Sequence, residues 1–418
     1  MKILHTSDWH LGRTLYEKTR YDESAAFLNW IKIQVEQEKV DVILIAGDIF
    51  DTAAPPHKAQ EQYYKFISGI AHSSCKNVVI IAGNHDSPAF LEAPKSLLTT
   101  FNVDVIGAAS GNIDDEVLTL KNHENKPYLI VCAVPFLRDR DIRISEAGES
   151  IEQKENMRVN AISEHYKRVY EAALQRQKQI YENDSISVPI IGMGHVFAAG
   201  GKVGDGEGVR ELYVGSLGRV TRDTFPNGMK YVALGHLHSE QCVAGDDTVR
   251  YSGSPMPMSF ADAGQTKSVS LIELNANEAP HIKKIQIPQT QRMERITGTF
   301  EQIKCKIQEL ALQDRSIWLE VIYDDVISIP NLVELLHELT AQTKLDILRV
   351  QNLVTRRESL SRVHLEESLG ALTHEEVFKR CIESAKITED DQKLLWETYN
   401  EAVMLYEQNQ IDSNLFIY

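Results

Sequence analysis

The 418-residue sequence predicts an α/β fold joined to a small α+β domain and a helical tail. Three observations carry this. Unbroken Val/Ile runs alternate with amphipathic segments as far as about residue 280, the pattern of strands buried on both faces with helices packed over them. From 281 to 355 shorter runs and two helical segments form a smaller unit, and 356–372 is polar and broken, a linker. The last stretch, 373–418, carries two amphipathic segments. The length agrees, since one core seldom serves more than roughly 250–300 residues.

Each element has its own signal. "KILHTS" is a first strand, and residues 22–38 repeat Phe27, Leu28, Ile31 and Val35 at helical spacing. "VDVILIAGD" is a second strand. Residues 58–71 form a helix carrying Tyr63, Phe66, Ile67 and Ile70. "NVVIIAGNHD" is a third strand, and the helix after it carries Phe90, Leu91, Leu97 and Leu98. "YLIVCAVPF", "VPIIGMGH", "KYVALGH" and "SVSLIEL" add strands, with a polar helix from about 155 to 183 between two of them. In the second domain "HIKKIQIP", "MERITGTF", "SIWLEVIY" and "KLDILRVQNLV" accompany helices near 300–312 and 330–341. In the tail, Thr373 and Thr388 are N-caps followed by acids in the first turn.

Composition narrows the function. The net charge is −16, from 44 basic and 60 acidic residues. That balance speaks against a chain that grips nucleic acid alone through a broad basic surface. It leaves room for a phosphate substrate held by bound cations, which invert the local field. The five cysteines are scattered and form no C-x-x-C pair, so neither a disulfide framework nor a thiolate zinc site is indicated. "MKILHTSDWH" enters a strand with no apolar signal region, and no window approaches the roughly 20 apolar residues of a membrane span. A cytoplasmic protein is expected.

The chemistry lies at the strand ends. "HTSDWHLG" supplies Asp8 and His10; "IAGDIFD" supplies Asp48, with Asp51 behind it; "IAGNHDSP" supplies Asn84, His85 and Asp86. "GMGHVF" supplies His195, and "GHLH" supplies His236 and His238. In a sheet of parallel type these ends converge on one edge, where ligands bind. Gly47, Gly83, Gly194 and Gly235 precede the side chains at four of the five places and permit sharp turns close to an ion. Any one residue has an ordinary alternative: Asp8 caps a turn, or His195 fills a core. All five strand ends together are hard to explain that way, because each follows a strand and each carries a ligand type.

The donor count fits two cations sharing one carboxylate, with His236 and His238 facing different ions. Carboxylates alone would suit magnesium or calcium. Imidazoles with carboxylates and one amide oxygen suit manganese, with iron or zinc less easily excluded. Two ions roughly 3.5–4 Å apart can hold a hydroxide and clamp a phosphoryl oxygen.

D-x-H, G-D-x-x-D, G-N-H-D, G-H and G-H-x-H, in this order, resemble the signature of calcineurin-like metallophosphoesterases. "MKILHTSDWHLG", "GDIFDTAAPP", "AGNHDSP", "VPFLRDRDI", "YVALGHLH" and "YSGSPMPMSF" are similar to the SbcD family of bacterial nuclease subunits, and the resemblance covers nearly the whole chain. It implies a β-sandwich flanked by helices, a small α+β capping domain and a C-terminal helical segment. It implies one Mn2+ on Asp8, His10, Asp48 and His238, and a second on Asp48, Asn84, His195 and His236, with Asp48 bridging. His85 would stand beside the scissile phosphate, stabilising the charged transition state and protonating the leaving oxygen, a task that suits histidine near neutral pH. Asp51 and Asp86 read as acceptors that orient ligand imidazoles, or as turn caps.

The same resemblance implies 3′-to-5′ exonuclease action on duplex DNA and endonuclease action on single strands and hairpins, in recombination, replication and repair. It names the coiled-coil ATPase SbcC as the partner and a homodimer within a heterotetramer as the assembly, paired through the helices at 58–71 and 90–98. Phe378, Leu394, Leu395, Trp396, Tyr399, Val403 and Met404 in the tail form stripes suited to docking that ATPase. Two rival readings are a small-molecule or cyclic-nucleotide phosphodiesterase of the same superfamily and a non-catalytic DNA-holding scaffold. The first leaves the extra domain and tail unexplained, and the intact donor set with His85 argues against the second. Arg138, Arg140 and Arg143 are equally suited to DNA phosphates and to a solvated loop. His5 reads as a core histidine or an orienting one. His57, His72, His123, His165, His281, His337, His364 and His374 read as surface residues.

Overall fold

Residues Val42–Ala46 read VILIA, and every one is buried. Successive side chains of a strand point to opposite faces, so such a strand must be covered twice. Ile43 and Ile45 join Phe27, Leu28, Ile31, Tyr63, Phe66 and Ile70 from two helices. Val42, Leu44 and Ala46 join Leu129, Val131, Ile191, Met193 and Ala233 from a second sheet. Two sheets therefore pack face to face with helices outside them.

The computed structural model describes residues 1–122, 124–142, 151–184, 187–198, 220–275 and 278–353, with isolated positions between 378 and 400. Strands and helices of the first part are β1 (Lys2–Thr6), β2 (Thr14–Leu15), β3 (Lys18–Thr19), α1 (Tyr21–Glu38), β4 (Val42–Ala46), α2 (His57–Ala71) and β5 (Asn77–Ile81). There follow α3 (Pro88–Glu92), α4 (Lys95–Thr99), β6 (Val103–Ile106), β7 (Val117–Lys121), β8 (Pro127–Ala133), α5 (Asp139–Ile142) and the long α6 (Ile151–Asp184). The last are β9 (Ile190–His195), β10 (Val232–Gly235), β11 (Gln241–Val243), β12 (Asp246–Tyr251), β13 (Ser268–Glu273) and β14 (His281–Gln286).

One six-stranded sheet has the order β14-β13-β1-β4-β5-β6 and the other β11-β12-β10-β9-β8-β7. β1, β4, β5 and β6 are mutually parallel, as are β8, β9, β10 and β12; the remaining strands are antiparallel additions. α1 and α2 cover the first sheet, and α6 covers the second through Ile162, Tyr166, Val169 and Ala173. The two mixed sheets flanked by helices match the sandwich implied by the family resemblance.

Contacts divide the chain into two units. The first holds Met1–Arg295, Arg315–Glu320 and Lys344–Leu348, and the second the remaining residues. A three-stranded sheet, β15 (Arg292–Gly298), β16 (Ile317–Tyr323) and β17 (Leu345–Asn352), accompanies α7 (Phe300–Ala311) and α8 (Leu332–Thr340). Thr299 and Gln302 cap α7 reciprocally, and Ile303, Ile307, Leu310, Leu332 and Leu336 are buried. The linker 356–372 and the caps Thr373 and Thr388 lie outside the described residues, as do Arg143, His123, His364 and His374.

Several expectations change. The helix carrying Phe90 to Leu98 is two short helices, because Pro94 interrupts the turn. The edge strands β6, β7 and β11, and β12 beside β11, had too little apolar run to be legible. β14, "HIKKIQ", pairs antiparallel with β13 at the edge of the first sheet instead of opening the second domain. His165 is buried, not exposed: its Nε2 is 2.8 Å from Glu116 Oε2, and the carboxylate is fully inside. A histidine reads as polar on a helix, yet this one lies on the inward face of α6 beside Tyr166.

His5 ties the sheets together beneath the strand ends. It is fully buried on β1, with Nε2 3.1 Å from the Leu234 carbonyl and Nδ1 2.9 Å from the Tyr231 hydroxyl, both on the second sheet. A carbonyl only accepts, so Nε2 carries the hydrogen and the tyrosine donates to Nδ1. Burial pushes the imidazole down to about 3, against the Leu234 bond that favours charge. The unfolded chain therefore binds a proton near pH 6.5 that the folded chain refuses until about pH 3. Stability from this group is complete above pH 6.5 and is lost as pH falls towards 3, by about 1.4 kcal/mol per pH unit in that window. A His5→Gln variant should lack this slope in urea-unfolding experiments run from pH 7 to 4, and identical slopes would contradict the assignment.

Candidate metal centre

The loops after β1 and β4 run side by side. Asp8 N donates to Gly47 O at 3.0 Å, His10 N to Asp48 O at 3.0 Å and Leu11 N to Ile49 O at 2.9 Å. Asp8, His10 and Asp48 occupy left-handed backbone, at φ of 53°, 44° and 51°, and His236 lies at φ 108°. Such conformations are unfavourable for side chains with a Cβ and persist where the surroundings over-determine them. Here four strained residues converge on one spot.

What fixes them is a set of buried hydrogen bonds. Asp8 accepts from His236 N at 2.9 Å and from the Ser7 hydroxyl, which also meets Ser252 Oγ at 2.9 Å. Asp48 Oδ1 accepts from His85 N at 2.9 Å. Asp86 accepts from Gly83 N, Ile49 N and Phe50 N at 2.9, 3.2 and 3.0 Å, joining the loops after β4 and β5. Asp86 thus pins main chain. Asp51 lies with Oδ1 3.2 Å from His10 Nδ1 and receives Arg13 Nη1 at 3.0 Å.

The residues singled out at the strand ends come together. Asp8, His10 and His238 form one buried group of potential donors, and Asp48, His195 and His236 another. Asn84 Oδ1 is 3.1 Å from His195 Nε2 and 3.0 Å from His236 Nδ1, and Asp48 Oδ2 is 3.3 Å from His195 Nε2 and 3.7 Å from His10 Nε2. Asp48 stands between the two groups. His10, Asp51 and His85 form a third, less buried group that shares His10.

The donor chemistry calls for positive charge. His195 Nδ1 is 2.9 Å from the Ala46 carbonyl, so that nitrogen carries a hydrogen. Its Nε2 then faces an amide oxygen, a carboxylate oxygen and a second imidazole nitrogen at 3.3 Å, all acceptors unless something cationic lies among them. In the ion-free chain a proton fills this need: burial opposes it, but Asp48 and Asp8 push His195 up to about 9. Burial likewise opposes charge on Asp48, yet His195 and His10 hold it well below the usual carboxylate range. Burial pushes Asp8 up to about 7 and His236 down to about 3, and it holds His10 and His238 below the ordinary histidine range. Neutral imidazoles and carboxylates at such density fit divalent cations, which would ionise the acids and occupy the ring lone pairs.

Residues the sequence did not flag complete the setting: Ser7, Ser252 and Arg13. Their contacts span 245 positions for Ser7–Ser252 and 38 for Arg13–Asp51, so no local pattern could have marked them.

Residues 1–240 match the family model described as calcineurin-like phosphoesterase, and residues 289–386 the one described as type 5 capsule protein repressor C-terminal domain. The chain is 32% identical over 398 residues to the SbcD subunit of nuclease SbcCD from Escherichia coli (strain K12), covering 94% of this chain and 96% of that protein. It is 33% identical over 325 residues to the SbcD subunit from Rhodobacter capsulatus, covering 75% and 77%, and 32% identical over 280 residues to that of Bacillus subtilis, covering 66% and 67%. A solved dimetal phosphatase from Danio rerio covers 69% of the chain at 13% identity with a TM-score of 0.36, too slight a likeness to argue from.

Because Asp48 stands between both donor groups, Asp48→Ala should abolish tight uptake of two Mn2+ ions by metal-free protein while leaving its far-UV spectrum unchanged. Isothermal titration showing two ions bound at wild-type affinity would exclude a bridging role.

Proposed function

The chain belongs to the calcineurin-like phosphoesterases and, among them, to the SbcD nuclease-subunit family, and on that premise we propose that it is a two-metal DNA phosphodiesterase. The observation that carries the reading is the pair of buried donor groups meeting at Asp48, with His85 at their open side. Asp8, His10, Asp48 and His238 would hold one ion, and Asp48, Asn84, His195 and His236 the other. Imidazoles mixed with carboxylates and one amide oxygen favour manganese over magnesium. When bound, the ions supply activation of water and neutralisation of charge developing on the phosphate.

The chain's own residues supply the rest. His85 Nδ1 is 2.8 Å from the Asp51 carbonyl, so it donates there and Nε2 is left to face substrate. The ring stands edge-on to His10 at 4.9 Å between centroids, and His85, like Asn84 and Asp51, is half-buried. With both ring nitrogens protonated, the imidazolium would give its Nε2 proton to the departing oxygen as the phosphorus–oxygen ester bond breaks, keeping the Nδ1 hydrogen on the Asp51 carbonyl. Asp51 thus serves twice: its carboxylate faces His10 and its carbonyl orients His85.

The substrate class follows from the family: duplex ends degraded 3′ to 5′, with endonucleolytic cleavage of single strands and hairpins. With a net charge of −16 the isolated protein neutralises few DNA phosphates and binds duplex weakly. Basic surface would come from the coiled-coil ATPase SbcC in the cytoplasm. In the tail, Phe378 stacks on Tyr399 at 4.1 Å and meets Trp396 edge-on at 5.3 Å, which ties two helical segments together, while Leu395 is exposed. Such a pair presents an apolar face to a partner. The homodimer would use the exposed Leu97 and Phe101, at and just after α4, with Tyr64 of α2; Tyr63, Phe66, Ile67, Ile70, Leu91 and Leu98 are buried in this chain's own core.

Among the described residues no helix is long and apolar enough to cross a membrane. His85→Ala should leave Mn2+ content near wild type while slowing turnover by roughly 10²–10⁴-fold on single-stranded DNA. Metal content falling in step with activity would make His85 a ligand instead. Deleting residues from about 360 onward should preserve Mn2+ binding and basal single-strand cleavage. It should abolish capture of SbcC in pull-downs and ATP-stimulated degradation of duplex ends. Undiminished capture would show that the tail is not the docking element.

A further inference from the structure

The segment "YSGSPMPMSF" and the lysine that precedes β13 take no part in the chemistry above, yet both close on the main chain of His238. The His238 carbonyl accepts from Ser254 N at 3.0 Å and from Lys267 Nζ at 3.0 Å, while the single hydroxyl hydrogen of Ser254 goes to the nearer Met256 carbonyl at 2.8 Å. Gly253, at φ +75°, lets the turn lie flat against this backbone; a Cβ there would fall 2.8 Å from the His238 oxygen.

Lys267 is only 8% exposed, an unusual place for an ammonium. Its carboxylate neighbour, Asp262, is fully buried with Oδ2 at 3.7 Å, and that oxygen also accepts from Met258 N at 2.9 Å. The ammonium thus lies nearer to the carbonyl of a candidate ligand, at 3.0 Å, than to the Asp262 carboxylate, at 3.7 Å.

His238 differs from His195 in how its ring is held. Metal-ligating histidines nearly always have a partner on the second ring nitrogen that fixes the ring. His195 has the Ala46 carbonyl, and His10 faces Asp51. Among the described residues His238 Nδ1 is buried with no hydrogen-bond partner, while Nε2 faces His10 Nε2 at 3.1 Å. The residue also lies past the end of β10 at Gly235, so no strand ladder fixes its peptide. Orientation must come from the main chain, and the donors on its carbonyl fix that peptide plane.

We propose that Lys267, assisted by Ser254, is a positioning residue that holds His238 in ligand geometry from behind. The inference rests on the two-ion reading above. It predicts that Lys267 governs the affinity of one ion of the pair.

Mn2+ titrated into metal-free full-length protein, followed by calorimetry and by electron paramagnetic resonance of the coupled pair, tests it. Wild type should take up two ions. Lys267→Met should bind one of them about 10–100-fold more weakly and the other unchanged. Lys267→Arg, which keeps a cationic donor, should recover part of the loss. Removing one member of a buried pair can itself destabilise the fold, so Lys267→Met/Asp262→Leu, which removes both charges, is the deciding variant. It should regain wild-type resistance to urea yet keep the weakened ion, with the coupled signal diminished. A folded double variant that takes up both ions at wild-type affinity would overturn the proposal and reduce Lys267 to a counter-ion for Asp262. Fewer than two ions in the wild type would instead overturn the two-ion reading beneath it.

Discussion

The centre depends on how closely the end of β4 approaches the ends of β9 and β10. The Ala46 carbonyl is the contact point. It accepts from His195 Nδ1 at 2.9 Å, and a Cβ on Gly235 would fall 1.9 Å from it. A Cβ on Gly83 would fall 2.1 Å from Asp48 Oδ1, and one on Gly47, at φ +89°, 2.3 Å from His195 Nδ1. The glycines noted as turn residues therefore do more than turn. At Gly47 and Gly235 the two sheets come near enough for donors of one to meet donors of the other, and at Gly83 the end of β5 lies against Asp48 within the first sheet; a larger residue would hold these ends apart.

Bringing that many acceptors into a dry place is unfavourable unless charge is supplied, and the fold supplies the surroundings in advance. Main-chain N–H groups of His236, His85, Gly83, Ile49 and Phe50 neutralise the outer lone pairs of Asp8, Asp48 and Asp86. The strained backbone at Asp8, His10, Asp48 and His236 aims the inner ones at a common volume. Strain of this kind is tolerable because the two-sheet core behind it is extensive and rigid. His5 adds a neutral, fully buried link between the sheets just below.

The acidity of the chain and the nature of its substrate are compatible for the same reason. A net charge of −16 repels a polyanion at long range. A local pair of divalent ions reverses the field at the one place where phosphate must enter. Affinity for long DNA and the chemistry of cleavage can then reside in different parts of an assembly.

The sequence by itself determined the strand-ending motifs, the donor types and the two-sided burial of β1, β4, β5, β9 and β10. These follow from local rules: apolar runs of strand length, glycine at turns, and histidine, aspartate and asparagine where a cation is wanted. The helices were legible wherever one face is apolar, as in α1 with Phe27, Leu28, Ile31 and Val35. Tertiary structure alone decided that the donors come from two sheets, that Asp86 pins main chain, that His165 is inside with Glu116, and that Ser254 and Lys267 press on His238. Each of these is a contact between residues far apart in the chain, between polar groups whose local context gives no sign of a partner. Periodicity reports which face of an element is buried; it carries nothing about which polar atom from another strand will be waiting there.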